Sequence, residues 1–84
     1  MFVEIYTKNE CMYCFMTKRL LESRKITYNE YHLDKDFTSR MLTEKYASAR
    51  TYPVVVIDGF FIGGYNELTT KLLESDLRQN LLTE

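Results

Sequence analysis

The chain has 84 residues, 45% of them hydrophobic, with 11 basic and 12 acidic side chains interspersed for a formal net charge of -1. That length supports one small domain spanning residues 1–84 with a single core, and the balanced charge offers neither a basic field for nucleic acid nor a polybasic membrane patch. No basic stretch followed by an apolar one opens the chain and no apolar run reaches transmembrane length, so the sequence reads as soluble and cytoplasmic, and a monomer is expected.

Phe2 to Tyr6 has strand composition with apolar residues on both faces, which predicts an interior strand. The polar segment Thr7 to Glu10 then leads into Cys11-Met12-Tyr13-Cys14, which holds the only two cysteines. Two thiols at i and i+3 share one face of a helical turn and can close a small disulfide ring. Placed at or just before a helix N-terminus, Cys11 faces unpaired backbone N–H groups and the positive dipole end, with Lys8 adding a cation. Such surroundings lower a thiol pKa from about 8.5 to roughly 3.5–7.5 and favour the nucleophilic thiolate. Cys14, one turn in, suits a resolving role. A structural zinc site needs four ligands, and besides these thiols the chain has one histidine, His32, and no second cysteine pair, so no metal is expected. A lone cysteine pair in a reducing compartment is more often catalytic than structural.

After the motif, Met16, Thr17, Leu20 and Leu21 fall on one side of a helix, with Phe15 on the polar side. Ile26 to Leu33 is β-prone, which makes the first two strands parallel through a helical crossover; His32 reads as a surface or partly packed side chain. Asp34-Lys35-Asp36 supplies a candidate cap for a helix over Phe37 to Ala47, with Met41, Leu42 and Tyr46 at helical spacing. Thr51-Tyr52-Pro53, with the single proline, precedes a strand over Val54 to Ile57. Asp58-Gly59 predicts a two-residue hairpin into Phe60 to Ile62. Gly63-Gly64 follows, and a double glycine before a helix lets a ligand approach free backbone N–H groups. Asn66 is the expected N-cap of a helix carrying Leu68, Leu72 and Leu73, and Ser75 or Asp76 of a short further helix with Leu77, Leu81 and Leu82.

Lys8, the Cys11-Met12-Tyr13-Cys14 motif, Thr51-Tyr52-Pro53 and Ile62-Gly63-Gly64-Tyr65-Asn66-Glu67 occur in one order. Together they resemble the glutaredoxins, small members of the thioredoxin-fold family, from about Phe2 to Leu73. The resemblance implies an α/β thioredoxin-like fold, a four-stranded mixed sheet flanked by helices, and glutathione as co-substrate. Cys11 is then the nucleophile and Cys14 the resolving thiol. Lys8 faces a glutathione carboxylate and Tyr13 walls the site. Tyr52, before a cis Pro53, offers its backbone to the cysteinyl part, while Gly64, Asn66 and Glu67 surround the γ-glutamyl end and Arg40 reaches the glycyl carboxylate. Three positions depart from the family pattern: Met12 replaces a proline, Tyr52 a valine and Glu67 an aspartate.

On this resemblance the chain is expected to reduce protein disulfides and glutathione mixed disulfides, with ribonucleotide reductase a candidate substrate. The alternatives are a redoxin dedicated to ribonucleotide reductase, which usually lacks the Gly-Gly segment and the glutathione-binding cations, and a dimer holding a [2Fe–2S] cluster through Cys11 and glutathione. The family's dedicated cluster carriers usually have one cysteine in this motif.

Overall fold

The computed structural model describes the backbone of residues 1–82 and the side chains through Arg78. Seven elements follow one another: β1 (Val3–Thr7), α1 (Met12–Ser23), β2 (Tyr28–His32), α2 (Ser39–Lys45), β3 (Val54–Ile57), β4 (Phe60–Gly63) and α3 (Tyr65–Leu82). The strands form one sheet in the order β2-β1-β3-β4. β2 runs parallel to β1, with Ile5 opposite Glu30 and Thr7 opposite His32, while β3 is antiparallel to both β1 and β4. This is the four-stranded mixed sheet of a thioredoxin-like fold, and β1 is the interior strand its two-sided composition predicted.

Strand alternation divides the interior in two. Val3, Ile5, Val55 and Ile57 pack against Leu21 of α1 and Leu68 and Leu72 of α3. On the other face Tyr6, Val54 and Val56 pack against Phe37, Leu42 and Ala49. Each layer buries what the other face of the same strands leaves open, as period-two side-chain alternation requires. The hairpin turns through Asp58 at φ 52° and Gly59 at φ 84°, the pair of positive values that a type I′ turn demands. Asp58 Oδ1 accepts from the Phe2 N–H at 2.7 Å, which ties the turn to the start of the chain.

Local chemistry sets several boundaries differently from the sequence reading. The strand expected from Ile26 begins at Tyr28, because Lys25 at φ 57° turns the chain and the Ile26 N–H bonds back to the Leu21 carbonyl at 2.9 Å. The cap of α2 is Thr38, whose hydroxyl accepts from the Met41 N–H at 3.2 Å. Asp36 is committed instead to the His32 N–H at 2.8 Å. Phe37 therefore lies before the helix, bridged to Leu33 and buried, and α2 stops at Lys45.

Asn66 is not the cap of α3. Gly64 precedes the helix, its carbonyl accepts from the Leu68 N–H at 3.0 Å, and its own N–H donates to Glu67 Oε1 at 2.7 Å. That is the reciprocal arm of a capping box, with the acid three residues into the helix. No break occurs at Ser75: α3 is continuous to Leu82, and Asp76 is held by a two-pronged contact to Arg24 at 2.8 and 2.6 Å. The Leu81 and Leu82 side chains lie outside the described ones.

Candidate functional site

The site starts from a helix end. Cys11 is the N-cap of α1, with extended backbone at φ -122° and ψ 102°, and its sulfur accepts from the Cys14 N–H at 3.1 Å. No acidic residue occupies the first turn of α1, whose positive dipole end therefore favours an anion at the cap. The two sulfurs are paired as a disulfide with the Cα atoms 5.2 Å apart. Cys14 is 3% exposed, whereas Cys11 is half-buried and flanked by exposed Met12 and Tyr13. An incoming sulfur therefore reaches Cys11 first. A thiolate at Cys11 would keep the Cys14 N–H as its donor.

Two further segments belong to the candidate site. The Tyr52–Pro53 peptide bond is cis, as expected from the sequence. The Tyr52 ring lies under the Lys8 ammonium, 5.6 Å from Nζ to the centroid, and packs near Phe37 on its other flank at 6.3 Å. Burial, aided by the charge of Asp34, pushes the Tyr52 phenol above its ordinary value of 10.0. The larger side chain in place of valine thus links the proline loop to the lysine beside the motif. Tyr13 stacks against Tyr65 at the start of α3, with centroids 5.9 Å apart.

A Cβ added at Gly64 would stand 3.3 Å from the Pro53 carbonyl oxygen, so the double glycine lies directly against the proline loop. Gly63 at φ 132° takes a backbone form that side chains disfavour. Beside these glycines is a cavity of about 250 Å3 whose polar wall is Arg50, Thr51 and Glu67. The structure thus joins Lys8 to Tyr52 and Pro53 to Gly64, and Tyr13 of the motif reaches Tyr65 of α3. Asn66 is exposed in the first turn of α3, and Glu67 has one oxygen spent on the cap. Arg40 sits on the exposed flank of α2 with its guanidinium engaged by Glu44 at 3.0 Å.

Arg50 is not among the candidate residues read from the sequence, which places it beyond the helix ending at Ala47. A cation immediately before a Thr-x-Pro segment was the available signal. Among the described residues no group of three or more His, Cys, Asp or Glu side chains is arranged to hold a metal, and no helix is long and apolar enough to cross a membrane.

Behind the motif, Glu30 on β2 accepts from the Thr7 hydroxyl at 2.6 Å and from Lys18 Nζ at 3.2 Å. Burial works to raise the Glu30 carboxyl, but the Thr7 and Lys18 hydrogen bonds outweigh it and hold the group below its ordinary 4.5. Its stabilisation is therefore fully present above 4.5 and is lost as pH falls through the depressed folded-state value. Glu30→Gln is expected to lower the thermal midpoint near neutral pH, with the gap to wild type closing as pH falls below 4.5 through the depressed folded-state value. Thermal unfolding of both proteins across that range checks this; a gap of constant size would show that the carboxylate charge contributes nothing.

The Glutaredoxin family model matches residues 3–62. Glutaredoxin 3 of Escherichia coli K12 is 38% identical over 66 residues, covering 79% of this chain and 80% of its own length. The glutaredoxin-like protein NrdH of Lactococcus lactis subsp. cremoris is 32% identical over 65 residues, covering 75% and 86%. A buckwheat glutaredoxin, solved as a complex with glutathione, superposes with a TM-score of 0.76 at 26% identity, over 92% of this chain and 73% of that one.

Proposed function

The chain belongs to the glutaredoxin family of thiol–disulfide oxidoreductases, and from that premise we propose that glutathione is its reductant and that protein disulfides and glutathione mixed disulfides are its substrates. One observation carries the reading: the more accessible sulfur of the pair caps a helix N-terminus, in a chain that also sets Lys8 over the Tyr52 ring and Arg50 in a cavity beside Gly63 and Gly64. Glutathione has two carboxylates and one thiol, and two cations together with a thiolate complement that charge distribution. In this arrangement Lys8 and Arg50 take the carboxylates, Gly64 leaves room for the ligand at the start of α3, and the backbone of Tyr52 before Pro53 and the walls Tyr13 and Tyr52 hold the cysteinyl part. Asn66 and the unspent oxygen of Glu67 border the γ-glutamyl end. The exposed Arg40 reaches a carboxylate only by leaving Glu44.

The chemistry balances in two branches. With a glutathione mixed disulfide, the Cys11 thiolate attacks the glutathione sulfur, the bond to the substrate protein breaks, and that protein leaves as a thiol after taking up a proton. A second glutathione thiolate then attacks the same glutathione sulfur, releases glutathione disulfide and restores the Cys11 thiolate. With a protein disulfide, Cys11 forms the mixed disulfide, the Cys14 thiolate attacks the Cys11 sulfur, and the substrate leaves with both sulfurs reduced. Two glutathiones then return the Cys11–Cys14 disulfide to the dithiol and become glutathione disulfide. No metal takes part. The protein acts as a single-domain monomer in a reducing compartment such as the cytoplasm, on disulfide-bearing proteins that include ribonucleotide reductase.

Similarity to the NrdH protein favours a second reading, a redoxin reduced by thioredoxin reductase. Turnover of a disulfide substrate coupled in parallel to glutathione with glutathione reductase and to thioredoxin reductase separates the two. The glutathione arm is expected to exceed the other by about tenfold or more, the discrimination that one charged contact provides. Turnover through thioredoxin reductase alone would replace the first reading by the second.

A further inference from the structure

The loop from β1 to α1 presents both Lys8 and Cys11, and it contains a conformational tension. Glu10, immediately before Cys11, has φ 53°, a left-handed value that side-chain-bearing residues seldom adopt unless neighbouring structure imposes it. A side chain from the strand beside it reaches the neighbouring residue. His32, at the C-terminal end of β2 and opposite Thr7 in the parallel register, places Nε2 2.9 Å from the side-chain amide of Asn9, the residue before Glu10. Its other ring nitrogen, Nδ1, faces Thr7 Oγ1 at 3.3 Å.

Thr7 is 1% exposed and has committed its hydroxyl proton to Glu30, so in the neutral ring Nδ1 donates to Thr7 Oγ1, and Nε2 accepts from Asn9 once the Asn9 amide is oriented with its NH2 rather than its oxygen toward the ring. Glu30 in turn holds Lys18 of α1, and Asp36 fixes the backbone N–H of His32 at 2.8 Å. The chain of contacts therefore runs from α1 and the sheet through His32 to the single turn that carries the reactive sulfur. His32 has no part in the exchange chemistry, and a surface histidine would not require partners on both nitrogens.

We propose that His32 is a positioning residue for the redox site: by clamping Asn9 to the Thr7–Glu30–Lys18 chain, it holds Glu10 in its left-handed conformation and fixes Cys11 as the cap of α1. The inference rests on the reading of Cys11 as the attacking thiol. Loss of the clamp lets Glu10 relax toward ordinary backbone, carries the Cys11 sulfur off the Cys14 N–H and weakens the thiolate. The consequence is confined to conditions in which the thiolate is only partly formed. The charged groups facing His32 are Glu30 and Asp36, with Lys35 in the same cleft and Lys18 beyond Glu30. All of them are left intact by the variants below.

The test is the rate of iodoacetamide alkylation of the fully reduced protein against pH, with the labelled cysteine identified by peptide mass. His32→Phe and Asn9→Ala break the clamp from opposite sides, so either remains informative if the other folds poorly. Each is expected to slow labelling of Cys11 at about pH 6 by roughly three- to tenfold, the effect of a half to one unit rise in thiol pKa, and to leave the rate at about pH 10 unchanged. Adding Glu10→Gly, which adopts positive φ without support, should reduce the loss in either variant to less than about twofold. Wild-type pH profiles in both variants, or an undiminished loss in the glycine background, overturn the inference while leaving the assignment of Cys11 in place. Labelling of Cys14 in preference to Cys11 overturns both.

Discussion

Cys11→Ser is expected to bring thiol–disulfide exchange down to the uncatalysed rate with every substrate, while Cys14→Ser keeps most of its activity on glutathione mixed disulfides and loses that on protein disulfides by roughly a hundredfold or more. The asymmetry follows from geometry. Cys11 is the sulfur that solvent and an incoming disulfide reach, and it alone caps the helix and accepts a backbone N–H. Cys14 is nearly sealed, so its thiolate meets a substrate only after that substrate is already joined to Cys11. Its attack on the mixed disulfide is intramolecular, which is the advantage lost on substitution. With a glutathione mixed disulfide, free glutathione performs the same resolution. Turnover of each variant with a glutathionylated peptide and with a disulfide protein measures the split. Equal losses on both substrates in Cys14→Ser would show that the buried thiol is needed for more than resolution.

Leu21→Ala is expected to lower the unfolding free energy by about 3 kcal/mol, within the range of about 2–5 kcal/mol for emptying a buried leucine site. Leu21 has no exposed surface and is the fully buried residue of α1 in the Val3, Ile5 and Leu68 cluster, with Leu20 packed against its edge. A domain of this size has of order 5–15 kcal/mol in total, so the loss is a large fraction of it. The thermal midpoint should fall by roughly 4–8 °C for each kcal/mol. Leu73→Ala, at a position 58% exposed on α3, serves as the comparison and should change stability by about 0.5 kcal/mol or less. Urea denaturation of the two variants decides the matter; similar small losses would mean that α1 is not anchored where the structure places it.

What was legible in the sequence depended on local chemistry with one dominant solution. The strand-to-helix junction at Cys11, the Asp58-Gly59 turn and the two-sided β1 each had a single arrangement that satisfied their backbone, and each is found as expected. The start of α2 was not legible in this way. Asp34, Asp36 and Thr38 all have cap chemistry, and the choice was settled by the competing demand of the His32 N–H for Asp36. At α3 the capping-box signal was present as Glu67 three residues beyond Gly64, yet the amide of Asn66 is the stronger cap in isolation and drew the assignment two residues inward. The Glu30–Thr7–His32–Asn9 chain depends on a register between strands twenty-five residues apart, Thr7 opposite His32. No local pattern encodes that pairing. Arg50 likewise becomes visible only when the segment before Pro53 folds against Gly64.

Recognition of glutathione itself, as distinct from disulfides in general, is the central claim, and it is tested by the exchange equilibrium of the Cys14→Ser protein with glutathione disulfide compared with cystine. Cys11 is then the only thiol, and both reagents offer it the same sulfur–sulfur bond. With Lys8 over the Tyr52 ring and Arg50 beside Gly63 and Gly64, the glutathione mixed disulfide should be favoured by about tenfold or more, the worth of one charge-assisted hydrogen bond, and Arg50→Glu should remove most of that preference. Equilibrium constants for the two disulfides that agree within about twofold, a difference under 0.5 kcal/mol, would contradict glutathione recognition at this site.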